Sequence, residues 1–136
     1  MDQLLRAITA DASLRVLAAV TTDLVVEACR RHELRGIEAI ALGRALTAGC
    51  LLTTLTKSLD ERMRVDMRSD GPLGGLLIDA RGDGGVRGCL RRGLGEHPLR
   101  DRVEGDRGRL PLAPFVGRHG ALTATRDLGP ENRYQG

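Results

Sequence analysis

Apolar positions recur along this chain with two different periods, and the change between them divides it. Ile37, Ala41, Ala45, Ala48, Leu52 and Leu55 recur at spacings of three and four, and Ile40, Leu42, Leu46 and Leu51 widen the same face. Such spacing stacks side chains along one side of a helix. A helix of roughly 20 residues, rising ~1.5 Å per residue, would cross a whole domain. A helix apolar over so much of its circumference is expected to lie buried between other layers. From residue 62 the period becomes two: Met63, Val65 and Met67 alternate with Arg62, Arg64, Asp66 and Arg68, the pattern of a half-buried strand with one wet face. Ser69-Asp70-Gly71-Pro72 makes a turn, residues 73–80 a more apolar strand, Gly82-Asp83-Gly84-Gly85 another turn, and residues 86–90 a third strand. Two short connections in succession predict an antiparallel meander.

The flanks are less regular. Residues 4–8 are apolar with polar neighbours, Asp11-Ala12-Ser13 supplies turn chemistry, and Leu14, Val16, Leu17 and Val20 follow. Two strands joined by that turn fit best, with short helices as the alternative because the runs are brief. Thr21-Thr22-Asp23 predicts a helix start, with a Thr or Asp side chain accepting from free first-turn N–H groups. That helix runs to about His32, with Arg30, Arg31 and His32 at its cation-favouring end, and Gly36 reads as a stop. Residues 93–109 are charged and glycine-rich and read as a surface loop. Residues 110–116 carry two prolines, so a strand there is at an edge or broken. Arg118-His119-Gly120 reads as a turn and residues 122–125 as a strand. The expected fold class is α+β, an antiparallel or mixed sheet packed against a long buried helix.

Composition changes this picture little. With 136 residues, no Trp, one Phe (Phe115) and one Tyr (Tyr134), the chain suits one domain whose core is aliphatic. Its net charge of +3 comes from 21 basic and 18 acidic residues, and every basic residue except Lys57 is arginine. An arginine-rich nucleic-acid-binding module is therefore the alternative function. Interleaved acids leave no single-sign stripe, however, and almost no aromatics are present to stack on bases, so nucleic acid is an unfavoured partner. No stretch holds the ~18 uninterrupted apolar residues of a membrane span. The N-terminus lacks the basic flank and apolar run of a signal peptide, which makes cytoplasm the expected compartment.

Candidate chemistry is sparse. The glycine-rich turn at residues 82–88 has no Lys-Ser/Thr pair and precedes a strand, whereas a dinucleotide fingerprint opens a helix. Cys29, Cys50 and Cys89 form no C-x-x-C pair. Cys29 and His32 are the best local pair, and two ligands make no structural zinc site. No Ser sits in a G-x-S-x-G elbow. No catalytic residue, metal ligand or cofactor is assigned to this chain, and an enzyme is not expected.

The order of segments is more telling than any single motif. Asp2-Gln3-Leu4 with Thr21-Thr22-Asp23-Leu24-Val25 and Arg30-Arg31-His32, then residues 41–48, then Ser69-Asp70-Gly71-Pro72-Leu73-Gly74 with Val86-Arg87-Gly88, then Val116-Gly117, Gly120-Ala121-Leu122 and Asp127-Leu128-Gly129 resemble, in order, the N-terminal domain of the bacterial thirty-three-kilodalton heat-shock family, the redox-regulated holdase chaperones. Asp70, Gly71, Pro72, Gly74 and Gly88 are its most specific signature here. The resemblance implies a domain that binds unfolding proteins under oxidative stress and prevents aggregation without ATP. It also implies homodimers, and zinc held by four cysteines in a C-terminal domain. This chain carries no such module, and Cys29, Cys50 and Cys89 do not match the zinc cysteines. Residues 1–136 are therefore expected to form an incomplete N-terminal chaperone core, a fragment without the later strands. An incomplete sheet leaves unpaired edge groups and uncovered apolar surface, predicting reduced stability and pairing with a second copy by strand exchange. Client contact is expected from whichever of Leu73, Leu76, Ile78, Val86 and Leu90 are left uncovered, with Met63 and Met67 read as core.

Overall fold

The computed structural model describes residues 1–101 and 112–129. A hairpin of β1 (Gln3–Ile8) and β2 (Arg15–Val20) precedes two helices, α1 (Thr22–His32) and α2 (Gly36–Thr53). Then come β3 (Arg62–Ser69), β4 (Gly75–Arg81) and β5 (Val86–Leu90), a 3-10 turn (Pro98–Asp101), α3 (Leu112–Val116) and β6 (Gly120–Asp127). The hairpin is a sheet of its own. The other strands form a second sheet in the order β5-β4-β3-β6, antiparallel throughout. The α+β expectation holds, and the meander of β3, β4 and β5 is joined by β6 on the far side of β3.

Helix α2 is the centre of the core, packed on β4 and β5 on one side and on α1 on the other. Two glycines permit this. A Cβ on Gly49 would lie 2.7 Å from Ile78 Cγ2 and 2.8 Å from Val86 Cγ1, and one on Gly43 would lie 2.9 Å from Val25 Cγ1. The sheet and α1 thus approach opposite sides of one helix. By length and composition α2 also qualifies as a membrane span, with mean hydropathy 1.3. It instead contributes Ile37, Ala41, Leu42 and Leu46 to a core completed by Leu73, Leu76, Ile78 and Phe115.

Local chemistry departs from expectation at four places. Thr21 makes no side-chain cap; the carboxylate of Asp2 accepts from the amides of Asp23 and Leu24, both at 2.8 Å, so the start of β1 caps α1. Glu33, not Gly36, closes α1 in the left-handed region at φ 53°. Gly36 instead begins α2 at φ +58°, where a Cβ would collide with the Arg100 carbonyl oxygen. The expected broken strand before residue 117 is α3, with Pro114 in its first turn, where a missing amide costs nothing. Residues 110 and 111 of that expected strand lie outside the described residues.

The fourth departure is the largest. Residues 92–101 form a strap over the N-terminal half of α2, with Leu94 and Leu99 buried in the core. Glu38, 1% exposed, accepts from the Leu94 amide at 2.6 Å, and its Oε2 lies 3.1 Å from Arg100 Nε. That last contact is an ion pair without hydrogen-bond alignment, which leaves both atoms unbonded. The remainder of the expected surface loop lies outside the described residues.

Candidate functional site

Client contact was expected from whichever of Leu73, Leu76, Ile78, Val86 and Leu90 are left uncovered, and the packing covers three of the five. Leu73, Leu76 and Ile78 are 0, 8 and 2% exposed. Leu76 and Ile78 stand opposite Met67 and Val65 on the sheet face that α2 covers, and the Leu73 amide donates to the Phe115 carbonyl at 3.0 Å. Val86 and Leu90 are half-buried against the same core. Met63 and Met67 are half-buried, and Met67 packs on the core as expected.

Among the described residues, exposed large apolar side chains gather on the hairpin, with Val26, Leu55, Leu59 and Leu122 among those exposed elsewhere. Directly opposed residues of an antiparallel pair share a face. Leu5 opposes Ala18, Ala7 opposes Val16, and Gln3 opposes Val20, so one face is apolar apart from Gln3. Leu5, Val16 and Val20 are 58, 51 and 50% exposed. The opposite face holds Leu4, Ile8, Leu17 and Ala19 with Arg6 and Arg15, and its Leu17 and Ala19 are half-buried. Residues 16–20 are apolar throughout, so the sequence shows no alternation that would tell one face from the other. What covers the face is a tertiary fact that no local pattern carries. Beneath the hairpin lies a cavity of about 440 Å³ reached by Leu4, Arg6, Thr53 and Lys57, and beside it one of about 260 Å³ reached by Leu24, Cys50 and Val86.

The signature residues fasten the sheet. Asp70 Oδ1 accepts from the amides of Arg118 and His119 at 2.9 and 3.1 Å, and Oδ2 meets His119 Nδ1 at 3.1 Å. The His119 amide and ring hold the Asp70 carboxyl below its usual range. A Cβ on Gly71 would strike the Phe115 carbonyl oxygen at 2.5 Å, Gly74 sits at φ +68°, and a Cβ on Gly88 would collide with Ile78 Cδ1. Asp70 and Gly71, followed by Pro72, hold the segment before β6 against the β3–β4 turn, whereas Gly88 lies on β5 against Ile78. They are structural fasteners with no reacting partner gathered around them.

The outer sheet face is charged but paired. Arg64 holds Asp79 through two bonds of 2.8 and 3.0 Å, Arg87 approaches Asp79 at 3.4 Å, and Arg91 reaches Asp66 at 2.5 Å. These guanidiniums lower both carboxyls. Alternating signs of this kind do not make a phosphate track. Cys29, Cys50 and Cys89 are free and half-buried, and burial pushes the Cys29 and Cys50 thiols up. Among the described residues no group of three or more His, Cys, Asp or Glu is placed to hold a metal ion.

Together these elements make an α+β domain with a buried central helix and an apolar hairpin face open to solvent. The sequence profile of the Hsp33 protein family matches residues 2–136, and this chain belongs to that family. A 33 kDa chaperonin from Synechocystis is 40% identical over 128 residues, covering 94% of this chain and 41% of the relative. One from Geobacter sulfurreducens is 40% identical over 135 residues, covering 99% and 42%. The crystal structure of a 33 kDa chaperonin from Thermotoga maritima superposes with a TM-score of 0.76 at 26% identity, covering 93% of this chain and 41% of that one. The chain thus spans about two fifths of the length of these relatives.

Proposed function

We propose that this chain is the client-binding core of an ATP-independent holdase chaperone that holds unfolding proteins under oxidative stress, in the cytoplasm. The observation that carries the proposal is the uncovered apolar hairpin face of Leu5, Ala7, Val16, Ala18 and Val20 in a member of the Hsp33 family. A holdase needs apolar surface open to many partners rather than a pocket shaped for one. The same face suits a second copy of this chain, which makes a homodimer the proposed assembly.

Redox control is proposed for the full-length family and not for these residues. The residues described here gather no zinc-ligand set, so no step of the proposal runs through zinc or through Cys29, Cys50 and Cys89. Catalysis is not part of the reading. The test is light scattering of a chemically unfolded client without ATP, at low and moderate salt. Equal suppression of aggregation at both salts is expected. Binding that collapses with salt, together with nucleic-acid binding, would favour the arginine-rich alternative. No suppression at either salt would overturn the holdase reading for these residues.

A further inference from the structure

The strap over α2 has an unusual construction. Its root is fixed to the sheet, where the Arg91 amide donates to the Gly75 carbonyl at 2.9 Å and the Arg91 side chain pairs with Asp66. Beyond that root, among the described residues, residues 92–101 make no backbone-to-backbone hydrogen bond to the body. Their backbone bonds close on themselves, His97 to the Leu94 carbonyl at 2.8 Å and Arg100 to the His97 carbonyl at 2.9 Å. What ties the strap down is Glu38 on the Leu94 amide and on Arg100, and Arg100 Nη2 on the Glu33 carbonyl at 3.2 Å. Only two of its side chains are buried apolar ones, Leu94 and Leu99 at 7 and 8% exposure. Gly93 and Gly95 flank Leu94, with Gly95 at φ +55°. A segment with few buried apolar contacts and one polar anchor belongs to the low-stability end of a fold.

We propose that residues 92–101 are a displaceable cover released at Glu38, and that the positions filled by Leu94 and Leu99 against the N-terminal half of α2 are a second binding surface for apolar side chains of an unfolding polypeptide. This rests on the holdase reading in its second part only. Leu94 and Leu99 are themselves the guide to the occupant: two aliphatic side chains on a short extended or turn segment, with charged neighbours left in water. Release changes no secondary-structure element of either sheet, so it proceeds without global unfolding.

The test is amide hydrogen exchange by NMR on the full chain, with aggregation suppression measured alongside. The Leu94, His97 and Arg100 amides are expected to exchange faster than the β3–β4 ladder. Glu38→Gln should speed them on the order of tenfold relative to that ladder, since a charged hydrogen bond becomes a neutral one. Client suppression should rise with it. Leu42→Val, which weakens the core without touching the strap anchor, should not raise suppression and controls for general loosening. Strap amides that exchange only together with the ladder, in both proteins, overturn the displaceable cover. Fast strap exchange with suppression unchanged by Glu38→Gln keeps the cover and overturns its role in binding. Fast strap exchange with no suppression by any variant refutes the holdase reading while upholding the cover.

Discussion

Removing the arginine of the buried Glu38–Arg100 pair should cost far more than removing an exposed charge of this domain. Arg100→Ala leaves the Glu38 carboxylate at 1% exposure with the Leu94 amide as its remaining partner. It also removes the bonds to the Gly95 and Glu33 carbonyls at 3.0 and 3.2 Å. Breaking a buried pair from one side costs up to about 3–5 kcal/mol while the orphaned charge stays desolvated, and release of the strap, which returns Glu38 to water, sets the ceiling on that loss. A domain of this kind holds about 5–15 kcal/mol in total, so the loss is a large fraction of it. Arg31→Ala is the contrast. Its partner Glu27 is also paired with Arg30, and all three are solvent-accessible, so the loss is expected to be small and screened by salt. Urea unfolding followed by far-ultraviolet circular dichroism measures both, with the slope unchanged if only stability has moved. Replacing the pair together, Glu38→Leu with Arg100→Leu, should recover much of the single loss. An Arg100→Ala loss no larger than that of Arg31→Ala would refute the claim that the strap is anchored by a desolvated pair.

Other consequences are as specific. Gly49→Ala gains about 1 kcal/mol of helix propensity yet places a methyl within 2.8 Å of Ile78 and Val86 side chains, so a net loss of up to about 2 kcal/mol in the same urea assay is expected. Several carboxyls sit below their ordinary range in the fold: Asp11 falls from 3.8 to about 2 through bonds from Thr9 and Ser13, Glu27 from 4.5 to about 2 through Arg30 and Arg31, and Asp70 and Asp79 in the same direction. A folded value below the unfolded one gives stability that is complete above about pH 4.5 and lost as pH falls toward 2. The urea midpoint should therefore drop across that window, and a flat midpoint would contradict these pairings. Burial raises the Cys29 and Cys50 thiols, so alkylation at neutral pH should run slower at both in the folded protein than in urea. Equal rates would contradict their placement.

Periodicity carried the elements well and their surroundings poorly. The three-and-four spacing from Ile37 gave α2, and the strict alternation around Val65 gave β3, because each period is set by the backbone itself. The strap escaped notice because Leu94 and Leu99 are isolated among charged residues and glycines, where two apolar positions make no period. The helix of α3 escaped because Pro114 argues against a strand and says nothing for a helix until its place in the first turn is known. Asp70 was legible as part of a signature but not as a hub, since its partners Arg118 and His119 lie about fifty positions away. For the exposed apolar surface, sequence identified apolar strands but could not say which of them are covered. Leu73, Leu76 and Ile78 are apolar because α2 and Phe115 cover them, whereas Leu5, Val16 and Val20 are equally apolar and uncovered. Composition cannot separate the two cases.

The central claim is that the hairpin face receives clients. It is tested most directly by Leu5→Lys with Val16→Lys, a pair of charges on strand positions already more than half exposed. In the client-aggregation assay, the account predicts that this variant loses most of its suppression while its urea midpoint stays close to that of the parent chain. A variant that folds as before and suppresses aggregation as well as the parent would contradict it.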